Sequence, residues 1–236
     1  MTHSPKDLIP YFFDETAKTY ERVVVWATFG KDRYWKKNIV NKINNVNSVL
    51  DLACGTGILT RMIAFKFPKA KIVGIDISKN YLDQANKNSF SNISYMHEDA
   101  EKMNLEQKFD CICSSYIPKY CNSEILIERC INHLYSGGSI ILHDFVYPNN
   151  KLVRVFWRMH FLLLNCMGHF IPSWKYAFVE LPKLIQKTKW VEQYKHDLEK
   201  HGFAVTQQNL TWNCSVILHA KIPNYKKYQS SNNYSN

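Results

Sequence analysis

Between residues 47 and 145, short apolar runs alternate with amphipathic stretches. The runs near 47–53, 71–76, 92–96, 109–115 and 138–145 have the length and flanking punctuation of strands. The stretches near 58–67, 79–88 and 123–135 space their apolar residues as helices do, the last closed by Ser136-Gly137-Gly138. Such alternation predicts parallel strands covered by helices on both faces. The rhythm then changes. A helix near 190–201 ends at Gly202, and strands near 203–210 and 213–221 are close enough to pair as an antiparallel ribbon. The expected fold class is α/β and Rossmann-like: a mostly parallel seven-stranded sheet with an antiparallel C-terminal strand.

Residues 150–189 break this pattern with the apolar run Leu152 to Leu164. Its longest uncharged part, Met159 to Trp174, has 16 residues and contains Pro172. A membrane span needs about 20, so the run is not read as one. Arg154 and Arg158, one turn apart, form a polar stripe on an apolar cylinder. It reads as a packed core helix, as a lid over an apolar ligand, or as a helix resting on a membrane surface. The chain is read as one domain over residues 1–222, with an N-terminal helical cap over 1–45 and a helical lid insertion over 150–190. Residues 223–236 are Asn, Ser, Tyr and Lys with few apolar positions and read as a disordered tail.

Composition narrows this only partly. The 236 residues are 46% hydrophobic, enough for one large core. The start, Met1 to Asp7, lacks the apolar region of a secretory signal, so the protein reads as cytoplasmic. The seven cysteines lack metal-binding spacing and read as reduced, small apolar residues, so no metal is expected. The net charge of +10 includes clusters at Lys31, Arg33, Lys36, Lys37 and Lys42 and at Lys221, Lys226 and Lys227. It is compatible with RNA, with an anionic membrane surface, or with a plain solvated surface.

The chemistry begins at Val49-Leu50-Asp51-Leu52-Ala53-Cys54-Gly55-Thr56-Gly57, with a second strand ending Val73-Gly74-Ile75-Asp76. Glycines at 55 and 57 let a ligand approach the backbone, and the following helix turns its first N–H groups toward an anionic end. A dinucleotide fingerprint wants Gly or Ala three residues after the second glycine, but position 60 is Thr60. Asp51 precedes the loop and suits an ammonium. Asp76 suits the two hydroxyls of a ribose. A sulfonium nucleoside with a methionine ammonium, S-adenosyl-L-methionine (SAM), answers these requirements better than NAD. After the third strand, His97-Glu98-Asp99-Ala100-Glu101 would set a carboxylate near the adenine amine. Ser115, ending the fourth strand, would reach the methionine part.

The chain resembles class I SAM-dependent methyltransferases, and more closely the ubiquinone/menaquinone-biosynthesis C-methyltransferases. The resemblance rests on Phe13-Asp14-Glu15-Thr16-Ala17-Lys18-Thr19-Tyr20-Glu21 and Phe29-Gly30-Lys31-Asp32-Arg33-Tyr34-Trp35-Lys36. Phe109 to Ile112, Gly137 to Phe145, Asn209-Leu210-Thr211 and Val216 to His219 extend it, so that it covers roughly residues 11 to 221. It implies SAM contacts at Thr56, Asp76, Asp99-Ala100 and Ser115, and a quinol acceptor with a polyprenyl tail. Asp51, Gly55, Thr56, Gly57, Asp76, Ile77, Asp99, Ala100 and Ser115 make up the expected cofactor set. Three departures fall toward the acceptor: Lys119-Tyr120 where the family has Arg-Asn, Val24 where it has Asn, and Trp212-Asn213 where it has paired glycines.

Carbon methylation of a quinol needs a base within hydrogen-bond reach of a ring hydroxyl. Asp144, His143, Tyr20 and Tyr120 are the candidates. His143 and Asp144 are neighbours on a strand and should face opposite ways. The apolar run 156–170 is expected to hold the lipid tail. The expected partner is a small lipophilic, quinol-like acceptor. A peripheral membrane contact and a homodimer are compatible with the reading, and DNA is not expected. Rival readings are a methyltransferase of another lipophilic or aromatic acceptor, an RNA methyltransferase, and a non-catalytic SAM-binding accessory protein. No Asn-Pro-Pro-Tyr-type motif follows the fourth strand to support the RNA reading.

Overall fold

The computed structural model describes residues 5–8 and 15–222; Phe13, Asp14 and the tail 223–236 lie outside the described residues. Seven strands form one sheet: β1 (Ser48–Leu52), β2 (Lys71–Asp76), β3 (Ile93–His97), β4 (Phe109–Ser115), β5 (Leu134–Phe145), β6 (Ala204–Leu210) and β7 (Ser215–Lys221). Their order is β3-β2-β1-β4-β5-β7-β6, with β7 antiparallel to both its neighbours and the other pairings parallel. The helices are α1 (Tyr20–Ala27), α2 (Lys31–Lys42), α3 (Ile58–Lys66), α4 (Lys79–Lys87), α5 (Ser123–Asn132), α6 (Lys151–Met167), α7 (Pro172–Lys187) and α8 (Trp190–Lys200). The fold is the expected α/β class.

Successive residues of a strand face opposite sides, and the core divides accordingly. Val49, Ile72, Cys111, Cys113, Ile141 and Ile217 pack against Trp35 and Ile39 of α2 and Leu59 and Ile63 of α3. Leu50, Val73, Ile112, Ile140 and Leu142 pack against Leu126 and Ile127 of α5 and Trp190, Tyr194 and Leu198 of α8. Cys111 and Cys113 therefore share a face and are fully buried. A third apolar cluster stands apart, built from Val23 and Val24 of α1, Leu164 of α6, Trp174 and Phe178 of α7, and Tyr120.

Two expectations need correction. The helix predicted to reach residue 135 stops at Asn132, and β5 already begins at Leu134. The pairing with β4 jumps from Phe109–Leu134 to Cys111–Ser139, so residues between them bulge out of register. Gly137 takes φ 80°, and a Cβ on Gly138 would meet Leu134 Cγ at 2.7 Å. The glycines serve a strand irregularity and not a helix end. Lys36, counted in the basic cluster expected at the surface for RNA, a membrane or solvent, is 4% exposed and paired with Asp32 one turn earlier.

Candidate active site

Parallel strands on either side of the β1/β4 junction send their connections in opposite directions and leave a crevice at the strand ends. The loop from β1 to α3 fills its edge. Ala53, Gly55 and Gly57 take left-handed backbones (φ 50°, 57° and 81°), which fold the chain tightly before α3 starts. A Cβ on Gly57 would run into the Tyr95 hydroxyl, so contact as well as backbone favours glycine there.

Asp76 locks this loop to the next strand. Its Oδ2 accepts from the Gly55 N–H at 2.8 Å, and its Oδ1 accepts from the Ser78 N–H at 2.8 Å. It thus ties Ser78, the residue before α4, to the end of β2 while holding the glycine turn. Burial raises its pKa, against the pull of these N–H groups. Asp51 lies beneath the loop, 1% exposed, and accepts from Thr60 Oγ1 at 2.6 Å. Burial pushes its carboxyl up to about 7, opposed by Thr60 and the Lys36 ammonium.

A cavity of ≈ 780 Å³ runs from this loop into the helical region. Gly55, Asp76, Ile77 and Ser115 form one end of its wall; Trp157, Phe161, Leu164, Trp174 and Phe178 form the other. Tyr20 stands between them, edge-on to Tyr81 (5.2 Å between centroids) and stacked on Trp174 (6.0 Å). A smaller polar recess beside it is lined by Lys36, Asp51, Thr56 and Ser115. Two buried hydroxyls at this end, Thr56 Oγ1 and Ser78 Oγ, have no hydrogen-bond partner among the described residues. Unpaired polar atoms, two carboxylates and a glycine-opened backbone fit a polar, cationic nucleoside ligand. Val24, Lys119 and Trp212, the positions that depart from the resembled family, all line the larger cavity.

The four base candidates separate into two pairs. Tyr20 and Tyr120 line the cavity; His143 and Asp144 do not. His143 is sealed between Ser115 Oγ (2.9 Å from Nδ1) and Ser215 Oγ (2.6 Å from Nε2), and burial lowers its pKa. Its visible role is to hold Ser115. Asp144 is fully buried and pairs with the Lys119 ammonium at 2.7 Å. It also accepts from the N–H groups of Lys119 (3.1 Å) and Phe145 (2.7 Å). Burial pushes Lys119 down and Asp144 up, against their mutual attraction. The Lys119 ammonium also lies over the Tyr120 ring, 4.5 Å from its centroid.

The chain just before Asp99 and Ala100 is tied to the cofactor end, the Glu98 N–H donating to the Asp76 carbonyl at 3.0 Å. Asp99 is bridged by Lys6 Nζ, which also holds Glu101; Ala100 is buried in the main core. Neither lines the cavity. Sequence reading missed Tyr81, Trp174 and the buried Lys36. Only Lys36 left a signal, its i,i+4 spacing from Asp32. The apolar run 156–170 also divides: Phe156, Trp157, His160, Phe161 and Leu164 line the cavity, whereas Leu162 and Leu163 are 63% and 62% exposed.

Residues 49–138 match a family model described as a methyltransferase domain. A malonyl-[acyl-carrier protein] O-methyltransferase of Priestia megaterium is 28% identical over 142 residues, 59% of this chain. The chain spans about half, 52%, of that relative's length. A demethylmenaquinone methyltransferase of Chlorobaculum tepidum is 28% identical over 218 residues, 87% of this chain and 88% of the relative. The plantazolicin methyltransferase BpumL, solved with SAH, shares the fold at TM-score 0.64 and 13% identity, covering 93% of this chain and 95% of its own. SAM is the cofactor that this domain takes. With its glycine turn and two acidic strand ends, the chain resembles the class I SAM-dependent methyltransferases and, among them, the quinone-biosynthesis C-methyltransferases.

Proposed function

We propose that this protein transfers the methyl group of SAM to a ring carbon of a quinol that carries a polyprenyl tail. The observation that carries the reading is the single cavity of ≈ 780 Å³ joining the glycine loop to an aromatic, apolar chamber. A small polar acceptor would leave most of that apolar wall wet. The similarity to a demethylmenaquinone methyltransferase over most of both chains supports the same substrate class.

Bound SAM supplies an electrophilic methyl on a sulfonium. In this reading Asp76 accepts from the ribose hydroxyls, Asp51 faces the methionine ammonium directly or through water, and Thr56 and Ser115 complete the polar end. The helices α6 and α7 act as the lid and exclude water. Tyr20 and Tyr120 orient the quinol oxygen so that its ring carbon meets the methyl in line; the C–S bond breaks as the C–C bond forms, SAH leaves, and the displaced ring proton passes to solvent at the cavity mouth. Burial raises the pKa of both tyrosines, so they meet that oxygen as neutral hydroxyls. Tyr20→Phe and Tyr120→Phe should each lower kcat about ten-fold or more while leaving SAH affinity unchanged. Equal loss of SAH affinity would place them with the cofactor instead.

Asp51 gives a pH signature. An acid whose pKa rises on folding holds its proton more tightly than the unfolded chain does. Its contribution to stability therefore declines between about pH 4 and 7 and is flat above. A cation beside it favours the carboxylate, so cofactor binding should release a proton near neutrality. SAM affinity should rise from about pH 6 to 8 and then level off; Asp51→Asn should bind weakly with a flat profile. Calorimetry in two buffers of different ionisation enthalpy reads the proton directly. A flat wild-type profile with no proton released would remove Asp51 from the ammonium.

Incubation of the enzyme with methyl-labelled SAM and a lipid extract, followed by mass spectrometry, tests the acceptor. A labelled benzoquinol or naphthoquinol is the expected product. Label confined to RNA or to a small polar molecule would overturn the reading.

A further inference from the structure

We infer that the outer face of α6, together with the aromatic rim of the cavity, docks on an anionic lipid bilayer. Leu152, Val155, Met159, Leu162 and Leu163 are all more than half exposed and fall on one side of the helix. Soluble surfaces rarely carry a contiguous apolar stripe of this kind. The inner side of the same helix lines the cavity, and Phe156 belongs to both, being 58% exposed while touching the cavity.

The rim repeats the pattern on other elements. Phe29, 75% exposed, and Trp212, 78% exposed, both line the cavity mouth. Phe29 is tied to α6 by a ring contact with His160 at 5.0 Å. Both rim aromatics sit in left-handed backbone, φ 48° and 54°, which bulky side chains rarely adopt. Exposed aromatics held in strained backbone point to a function and not to packing.

Charge selects the occupant. Residues 145–179 contain no Asp or Glu but include Lys151, Arg154, Arg158 and Lys175. Among the described residues none of these four is in an ion pair. Arg154 and Arg158 are held in place by the Pro148 carbonyl and the Tyr147 side chain, and apolar side chains flanked by cations with no acidic partner fit an anionic interface. A second copy of this +10 chain would set like charges against each other. In this arrangement a lipid-tailed acceptor passes from the bilayer into the cavity along apolar surface, a purpose that rests on the proposed quinol reading.

The purified chain should cosediment with phosphatidylcholine vesicles containing about 30% phosphatidylglycerol and bind pure phosphatidylcholine about ten-fold less. Leu162→Asp with Leu163→Asp, neither lining the cavity, should reduce vesicle binding about ten-fold or more. SAH affinity and methylation of a tail-less quinol should remain. Equal sedimentation of wild type and variant, or no binding to either vesicle, overturns the inference. So does a concentration-dependent dimer that the two substitutions abolish, because the face would then bind a second copy. Vesicle binding requires no acceptor, so it stands or falls separately: docking without turnover of any quinol refutes the proposed acceptor and leaves the surface in place.

Discussion

Asp76→Ala should weaken SAH binding roughly a hundred-fold, the largest loss expected from any single side chain at the cofactor end. Two backbone N–H groups, of Gly55 and Ser78, converge on this carboxylate at 2.8 Å each. Hydrogen bonds to a charged acceptor contribute about 1.5–3 kcal/mol apiece, and a buried donor left unpaired costs more than the bond was worth. The substitution frees the glycine turn and the Ser78 backbone before α4 together, and removes the proposed partner of the ribose. A loss of about 3 kcal/mol in binding corresponds to the hundred-fold change. Asp76→Asn keeps one acceptor oxygen but turns an N–H against the other amide, so it should fall in between. Calorimetric titration with SAH measures both, and thermal melting separates binding from folding. A folded Asp76→Ala protein with wild-type affinity would remove this residue from the site.

The second large effect is on stability. Asp144→Ala should lower Tm by about 10 °C, because it strands the Lys119 ammonium, whose side chain is 1% exposed. Removing one partner of a buried pair costs about 3–5 kcal/mol, whereas neutralising both together costs far less. Lys119→Met combined with Asp144→Asn should therefore recover most of the lost Tm in calorimetry. The same variants test the chemistry. Asp144 does not line the cavity, so Asp144→Asn should keep measurable turnover, with its kinetic loss following its stability loss. A variant as stable as wild type but inactive would restore Asp144 as the base.

Asp51 and Asp76 were legible because the β1 loop and the end of β2 are local: a strand, a turn and a helix start fix their neighbours within a few residues. The alternation of strands and helices was legible for the same reason. The region around Gly137 misled because glycine after a helical pattern reads as a stop signal, while here it relieves a bulge against β4. The fates of His143 and Asp144 were half legible. Strand periodicity sends them to opposite faces, but the partners that seal them, Ser215 and Lys119, come from distant chain. Asp99 reads as a cofactor residue by its place after β3; its ion pair with Lys6, 93 residues earlier, is a long-range contact that no local pattern announces.

The sequence by itself determined the α/β class, the glycine turn between two acidic strand ends, and the nucleoside cofactor they suit. These depend on hydrogen bonds and backbone angles set within short segments. Only the tertiary structure decided that Tyr20, Tyr120, Lys119 and Trp212 share one cavity with that turn. It also divided the apolar run of α6 into a face that lines the cavity and a face left bare. A helix carries its periodicity in sequence, but which side it buries depends on what the rest of the chain packs against it.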